Sequence, residues 1–330
     1  MSEKKKKDPA EQLIIKCRKG VGISGGVIAI VDSAEKAIIA ERYGARGVIV
    51  AGAGGLSRRT TEPHAVQAIL ESVMLPVFAR VSIGHDIEAA VMAAAYADGI
   101  DESEMLDAAS ATNIDYHRAA IPAMSCVAPP APPMAVGDFM MFGVPAPAVT
   151  ATPEAPASKD TATLDVALTK IHHGVAVLRT RAPQLPNMVG ETGGDEDTPN
   201  ITHLSAIMSD LKKEIKIVTA MTPEERAAHV EGKAYKVKLL NKVVKLQRLP
   251  VPFFANGGIV HPLDAAMAMD LGYDGVVASV NVFTADNPEQ RMRSLVLATI
   301  HYKNPRFLSL ITENHRAIRG GAGAVAPRRA

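Results

Sequence analysis

The sequence predicts an α/β protein built as a closed, parallel (β/α)8 barrel, the TIM barrel. Short runs rich in β-branched residues alternate along the chain with longer segments whose apolar residues recur at helical spacing. Eight such runs are present, which is the number of strands that closes a barrel of this kind. The length of 330 residues and the apolar content of 47% suit one large core.

The first predicted unit is a strand over 26–31 followed by a helix over 33–43. Ser33 is a good N-cap residue, and the charge of Glu35 suits the positive end of the helix dipole. A second strand over 47–51 follows this helix.

The next two units have the same order. Pro63 begins a helix that is expected to end near Val73, since proline is favoured in a first helical turn. Predicted strand 76–81 follows, then an alanine-rich helix over 85–97 and a short strand over 99–102.

The second half of the chain supplies four more strands. They are predicted over 121–126, 175–180, 251–255 and 275–279, with a helix over 164–172 before the second of them. The strands share β-branched or aromatic residues bounded by Gly, Pro or charged residues.

Two insertions and two tails interrupt a single barrel domain over 11–319. Residues 128–163, after strand five, are rich in Ala and Pro and lack periodicity, which predicts a mobile surface insertion. Residues 183–199, after strand six, hold an acidic run without EF-hand spacing, which predicts a solvated loop. The basic tail 1–10 and the tail 320–330 are predicted to be disordered.

Composition restricts the partners. Lys and Arg number 36 against 35 Asp and Glu, a net charge of +1, so no strong field draws the chain to nucleic acid or anionic membranes. No apolar run approaches the roughly 18 residues of a membrane span. Cys17 and Cys126 are too few for a disulfide framework, and no secretion signal follows the first lysines. We therefore expect a cytoplasmic protein.

Candidate site residues follow the predicted strands. Asp101 and Glu104 end strand four, on the face where barrel enzymes carry their chemistry, and they suit either proton transfer or an ordinary charged rim. Gly257 and Gly258 follow strand seven, where glycine lets backbone N–H groups approach a phosphate; a tight turn is the alternative.

Several motifs occur together in the order and spacing of one family. They include IGH at 83–85, IDESE at 100–104, LRT at 178–180, FANGG at 254–258 and DNP at 286–288. The chain resembles the synthase subunit of pyridoxal 5′-phosphate synthase, the PdxS/Snz family. The resemblance implies a (β/α)8 barrel assembled as two stacked hexameric rings. It also implies synthesis of pyridoxal 5′-phosphate (vitamin B6) from ribose 5-phosphate, glyceraldehyde 3-phosphate and ammonia, the ammonia coming from a partner glutaminase.

The chain departs from this family at its chemistry. The resemblance places the two lysines of the family on Arg80 and Arg181, and its strand-one aspartate on Ile30. A guanidinium stays protonated, so it cannot form the imine that a neutral lysine forms with a pentose. Asp32 is a possible but displaced substitute for the missing acid.

The phosphate site implied by the resemblance has also changed. Ser279 begins the segment Ser-Val-Asn where the family has Gly-Ser-Gly, so Gly257, Gly258 and Ser279 are a remnant of that site. Asp101, Glu104 and Arg179 are retained nearby.

The combination of intact barrel pattern and altered chemistry predicts a pseudoenzyme with no catalytic residue, cofactor or metal of its own. We expect a structural or regulatory ring subunit, in a homo- or hetero-oligomer with a catalytic paralogue and a possible glutaminase. One alternative is an active synthase (lyase) that uses Asp32 or an unusual lysine. Another is a barrel that binds a new sugar phosphate through Arg80 and Arg181.

Overall fold

Eight parallel strands close a barrel in sequential order, which confirms the predicted fold class. The computed structural model describes residues 23–51, 61–82, 84–104, 123–127, 163–180, 201–259, 261–284 and 287–317. The strands are β1 Gly26–Val31, β2 Gly47–Val50, β3 Val77–Ser82, β4 Gly99–Glu104, β5 Ala123–Val127, β6 Val175–Thr180, β7 Phe253–Ile259 and β8 Gly275–Ala278. Each strand pairs with the next, and β8 pairs with β1.

Helices surround this barrel. In the described ranges they are α1 Ala34–Arg42, α2 Pro63–Ser72, α3 Asp86–Ala94, α4 Thr163–His172, α5 Ile201–Ala220, α6 Pro223–His229, α7 Ala234–Leu246, α8 Pro262–Leu271, α9 Pro288–Ile300 and α10 Pro305–Ala317. As predicted, Ser33 caps α1, since its side chain accepts a hydrogen bond from the backbone N–H of Lys36.

Some predicted boundaries are wrong by a few residues. Strand β4 continues to Glu104, two residues beyond its predicted end. Its IDESE sequence is not typical of a strand, but the inward carboxylate of Asp101 is paired with two arginines inside the barrel. Strand β7 runs from Phe253 to Ile259 rather than over 251–255. Helix α3 ends at Ala94 rather than at residue 97, because Tyr96 adopts a left-handed conformation with φ of 64°.

Side chains of the strands form two separate apolar layers. One layer fills the lumen, the space enclosed by the strands, and its members are Ile23, Ile28, Ile30, Ile49, Phe78, Met124, Ala176, Val177, Phe254 and Val277. The other layer lies between the strands and the helices. Because side chains alternate along a strand, a residue two positions from a member of the lumen layer also points into the lumen.

The predicted tails and both insertions lie outside the described residues, apart from Thr163, which begins α4. The predictions for these segments and for the domain boundaries therefore stay predictions. Within the described ranges, no helix combines the length and the apolar character needed to span a bilayer.

Candidate functional site in the barrel lumen

Three charged side chains meet inside the barrel. Asp101 of β4 is fully buried, and its two carboxylate oxygens accept hydrogen bonds from Nε and Nη2 of Arg179 on β6, each at 2.9 Å. Nε of Arg80, on β3, lies 3.5 Å from the same carboxylate. We call this group of three residues the lumen charge cluster.

The period of two along each strand brings these side chains together. Phe78 belongs to the lumen layer, so Arg80, two residues later on β3, also points inward. Ile100 belongs to the outer layer, so Asp101 points into the lumen. The strand register sets Arg80 beside Asp101, while Arg179 reaches the same carboxylate from β6.

The cluster defines what Asp101 can do. A carboxylate that accepts a bidentate bond from Arg179 and lies beside a second guanidinium is held in its charged form by both cations. Asp101 is therefore the anion of a buried three-residue ion cluster, neither a free general base nor part of an exposed rim. Glu104 lies at the end of β4, and its side chain falls outside the described part of the structure.

The inner face of β1 carries no acid at the predicted position. Ile30 is 1% exposed and packs in the lumen layer. Asp32 lies beyond the end of β1, where its carboxylate pairs with Nζ of Lys36 at 2.7 Å and its side chain is 35% exposed. Asp32 is therefore not part of the lumen layer in this structure, and its use as a substitute acid stays a prediction.

Asn256 on β7 is a lumen residue whose importance the sequence did not reveal. It is 1% exposed, and it lies two residues after Phe254 of the lumen layer, so it points inward. Its backbone is fixed to Thr180, whose hydroxyl accepts from the Asn256 N–H and donates to the Asn256 carbonyl, both at 2.7 Å. Its side-chain Nδ2 has no hydrogen-bond acceptor among the described residues. This amide is a buried donor available to a ligand.

The glycines of the predicted phosphate remnant lie in the last part of β7, rather than after the strand as predicted. Gly257 is buried and has φ of 153°, a conformation that L side chains rarely adopt. Gly258 follows it in the same strand. Ser279 ends up as a cap, since its Oγ accepts from the N–H of Asn281 at 3.3 Å in the short 3-10 helix after β8.

A second buried polar group lies behind the lumen, between the strands and α4. Nζ of Lys170, a residue 7% exposed, donates to Oγ of Ser125 at 2.7 Å, and Ser125 donates to Glu102 at 3.1 Å. Glu102 also accepts from the N–H of Gly84 at 3.0 Å. Glu102 follows the inward-facing Asp101, so this network is outside the lumen. Lys170 is thus a helix residue, as predicted, and does not reach the lumen site.

Arg181 lies outside the described residues, so the expectation that its guanidinium takes the place of the second family lysine remains a prediction. Among the described residues, no three His, Cys, Asp or Glu side chains come together as a metal-binding group. His172, at the end of α4, stacks on the ring of Tyr235 with ring centres 3.8 Å apart.

Comparison with known proteins agrees with this architecture. Residues 14–128 match the model of the SOR/SNZ family. The chain is 32% identical to "Pyridoxal 5′-phosphate synthase subunit PdxS" of Dictyoglomus turgidum, an alignment covering 91% of this chain and 89% of that protein. It is also 32% identical to the proteins of that name from Thermotoga maritima, over 88% of this chain and 86% of the relative, and from Methanosarcina acetivorans, over 88% and 83%. The chain belongs to the SOR/SNZ family, and it is a divergent member with Arg80 on the inner face of strand β3.

Proposed function

We propose that this chain is a non-catalytic subunit of a pyridoxal 5′-phosphate synthase assembly, acting in vitamin B6 biosynthesis as a structural or regulatory member of the ring. The observation that carries the proposal is the position of Arg80. Its guanidinium lies in the lumen, 3.5 Å from Asp101, where the family resemblance implies an imine-forming lysine.

The chemistry of arginine supports loss of the reaction. Imine formation needs a neutral amine to attack the carbonyl of the pentose, and a guanidinium with a pKa above about 12 keeps its charge. The side chain of Asp101 is engaged by Arg179, and the family aspartate of β1 corresponds to apolar Ile30. The described lumen therefore offers no amine nucleophile and no free acid beside it.

Three features support a role in assembly. The barrel is closed, its lumen layer is filled, and the relatives of this chain are named as subunits. Joining a ring needs a folded barrel with the right outer surface and does not need an imine lysine. We infer co-assembly with a catalytic paralogue, with a glutaminase as a further possible partner, in the cytoplasm.

Product formation tests the proposal. Purified chain is incubated with ribose 5-phosphate, glyceraldehyde 3-phosphate and an ammonium salt, and pyridoxal 5′-phosphate is followed by its absorbance. We expect no product above the chain-free background, while the Thermotoga maritima relative is assayed in parallel as control. Steady product formation by this chain would contradict the proposal.

A second candidate function is a barrel that binds a sugar phosphate without converting it. The free donor on Asn256 favours it, as does the net positive charge of the lumen charge cluster, in which two guanidinium groups lie beside one carboxylate. In the same samples it would give a rise in melting temperature with ribose 5-phosphate but no product, because a ligand that binds only the folded state stabilises it.

A further inference from the structure

Part of the barrel is built from an internal sequence repeat. Residues 76–103 match, without any gap, the residues 176 positions later, 252–279. The shared residues include Phe-Ala near the start, a histidine followed after three residues by Ala-Ala, and Asp-Gly near the end. Each copy forms a strand, a helix and a strand: β3, α3 and β4 in the first, and β7, α8 and β8 in the second.

Arg80 and Asn256 occupy equivalent positions in this repeat. Each follows the sequence Phe-Ala, and each lies two residues after a phenylalanine of the lumen layer, Phe78 on β3 or Phe254 on β7. Strands β3 and β7 are four strands apart in a closed barrel of eight, so Arg80 and Asn256 enter the lumen from opposite sides. Both copies of the repeat thus place an N–H donor where most inward residues of this barrel are apolar.

The lumen of such a barrel is filled in tiers, to which alternate strands contribute. On β1, β3 and β7, the inward residues nearer the start of each strand are apolar: Ile28, Phe78 and Phe254. The next inward residues, nearer the carboxyl ends of the strands, are Ile30, Arg80 and Asn256, and we call them the upper tier. Because packed apolar side chains fill the tier below, an occupant of the lumen would lie at the level of the upper tier.

The amide donor of Asn256 is fixed in this tier without an acceptor. Thr180, which is fully buried, holds both the N–H and the carbonyl of Asn256 at 2.7 Å, so the residue is kept in place. Its Nδ2 is buried and has no hydrogen-bond acceptor among the described residues. A buried donor without an acceptor destabilises the folded chain, and a ligand that supplies the acceptor removes that cost.

The neighbouring charges decide which kind of acceptor fits. The lumen charge cluster contains two guanidinium groups and one carboxylate, a net charge of +1. A ligand with one negative charge balances this excess, whereas a second negative charge in a buried site would stay uncompensated. A carboxylate carries one charge at neutral pH, and a phosphate ester carries more than one. The cluster therefore favours a carboxylate over a phosphate.

We propose that the upper tier binds a small carboxylate, whose oxygens accept hydrogen bonds from Nδ2 of Asn256 and from the guanidinium of Arg80. A carboxylate suits both donors, because each of its two oxygens accepts independently and the group is the common planar partner of arginine. Asn256 is 1% exposed and Arg80 is 8% exposed, so the occupant is small, of the size of acetate.

The inference rests on the proposed non-catalytic lumen, and it gives that lumen a regulatory use. A carboxylate that binds only the folded barrel stabilises it in proportion to the concentration of the ligand, so the stability of this subunit would follow a small metabolite. The ligand also distinguishes this proposal from the second candidate function, in which the lumen holds a sugar phosphate.

Thermal unfolding with acetate as the probe tests the site. The full-length chain is measured at neutral pH in a carboxylate-free buffer with rising sodium acetate, and sodium chloride keeps the ionic strength constant. We expect a saturable rise in Tm with acetate, and titration calorimetry should give one acetate per chain. Inorganic phosphate and ribose 5-phosphate at the same concentrations should raise the Tm less.

Variants of Asn256 locate the binding. Asn256→Leu removes the donor at nearly the same volume, so we expect a higher Tm than wild type without acetate and an acetate affinity about tenfold lower. Asn256→Asp, which has the same shape, should also lose the acetate response, because its own carboxylate repels a second one. Asn241→Leu, at an exposed position on α7, is the matched control and should respond to acetate as the wild-type chain does.

Three results would overturn this inference. The first is a wild-type Tm that rises no more in acetate than in chloride. The second is an unchanged acetate affinity in the Asn256 variants, which would place the binding elsewhere; Asn256→Asp decides this point if the leucine variant does not fold. The third is a larger effect of ribose 5-phosphate, which would support the second candidate function instead. The proposed function survives all three, since it is contradicted by formation of pyridoxal 5′-phosphate and not by loss of acetate binding.

Discussion

Replacing Asp101 with alanine is expected to lower the free energy of unfolding by about 3–5 kcal/mol, the cost of leaving a buried charge without its partner. Asp101 is fully buried, and its carboxylate neutralises Arg179, which is 1% exposed, and lies beside Arg80. Without it, two guanidinium groups remain close together in the lumen with no countercharge from that position. Chemical denaturation monitored by circular dichroism measures the change.

Glu71→Ala is the matched control, because Glu71 is an exposed acid on α2. Its replacement should change the unfolding free energy by less than about 0.5 kcal/mol. A loss for Asp101→Ala as small as that of the control would show that the lumen charge cluster does not hold the barrel together. The double variant Asp101→Leu with Arg179→Met removes both charges, so it should recover much of the loss.

A methyl group at Gly275 is the second change with a large expected effect. Gly275 begins β8, and a Cβ added there would overlap the carbonyl oxygen of Gly26 on β1 and the buried ring of Phe254 on β7. Backbone on one side and a packed ring on the other leave the methyl no space. We expect Gly275→Ala to cost about 3 kcal/mol, the upper part of the usual range for overpacked cores, in the same denaturation measurement.

Gly47→Ala is the corresponding control at the start of β2. A Cβ there would lie 3.3 Å from Cδ1 of Ile23 and 3.4 Å from the carbonyl oxygen of Pro76, which small movements can accommodate. Its expected cost is below about 1 kcal/mol. Equal losses for the two alanine variants would show that strand glycines matter here through chain entropy rather than through the contact of β8 with β1 and β7.

The fold could be read from the sequence because its strands are strongly patterned. Strands β1 and β6 match their predicted bounds, since a run of β-branched residues between turn residues has few alternatives. The errors occur where polar residues continue a strand. Strand β4 was predicted to end at residue 102, because local sequence gives no reason to bury carboxylates, and that reason comes from Arg80 and Arg179 on other strands.

The candidate site was predictable only in part, for the same reason. The resemblance drew attention to Arg80, Asp101 and Arg179, but their contact depends on strand register between segments far apart in sequence. Asn256 belongs to the FANGG motif, but the burial of its side-chain donor depends on the fold, in which Thr180 of β6 holds its backbone.

The most direct test of the missing imine chemistry is the intact mass of this chain after incubation with ribose 5-phosphate and reduction with borohydride. Reduction would fix any imine as a stable pentose phosphate adduct on a lysine. We expect an unchanged mass for this chain under conditions in which the Thermotoga maritima relative is labelled, because Arg80 cannot form an imine and Lys170 lies behind the lumen. A mass increase by one pentose phosphate, mapped to a single lysine of this chain, would contradict the account.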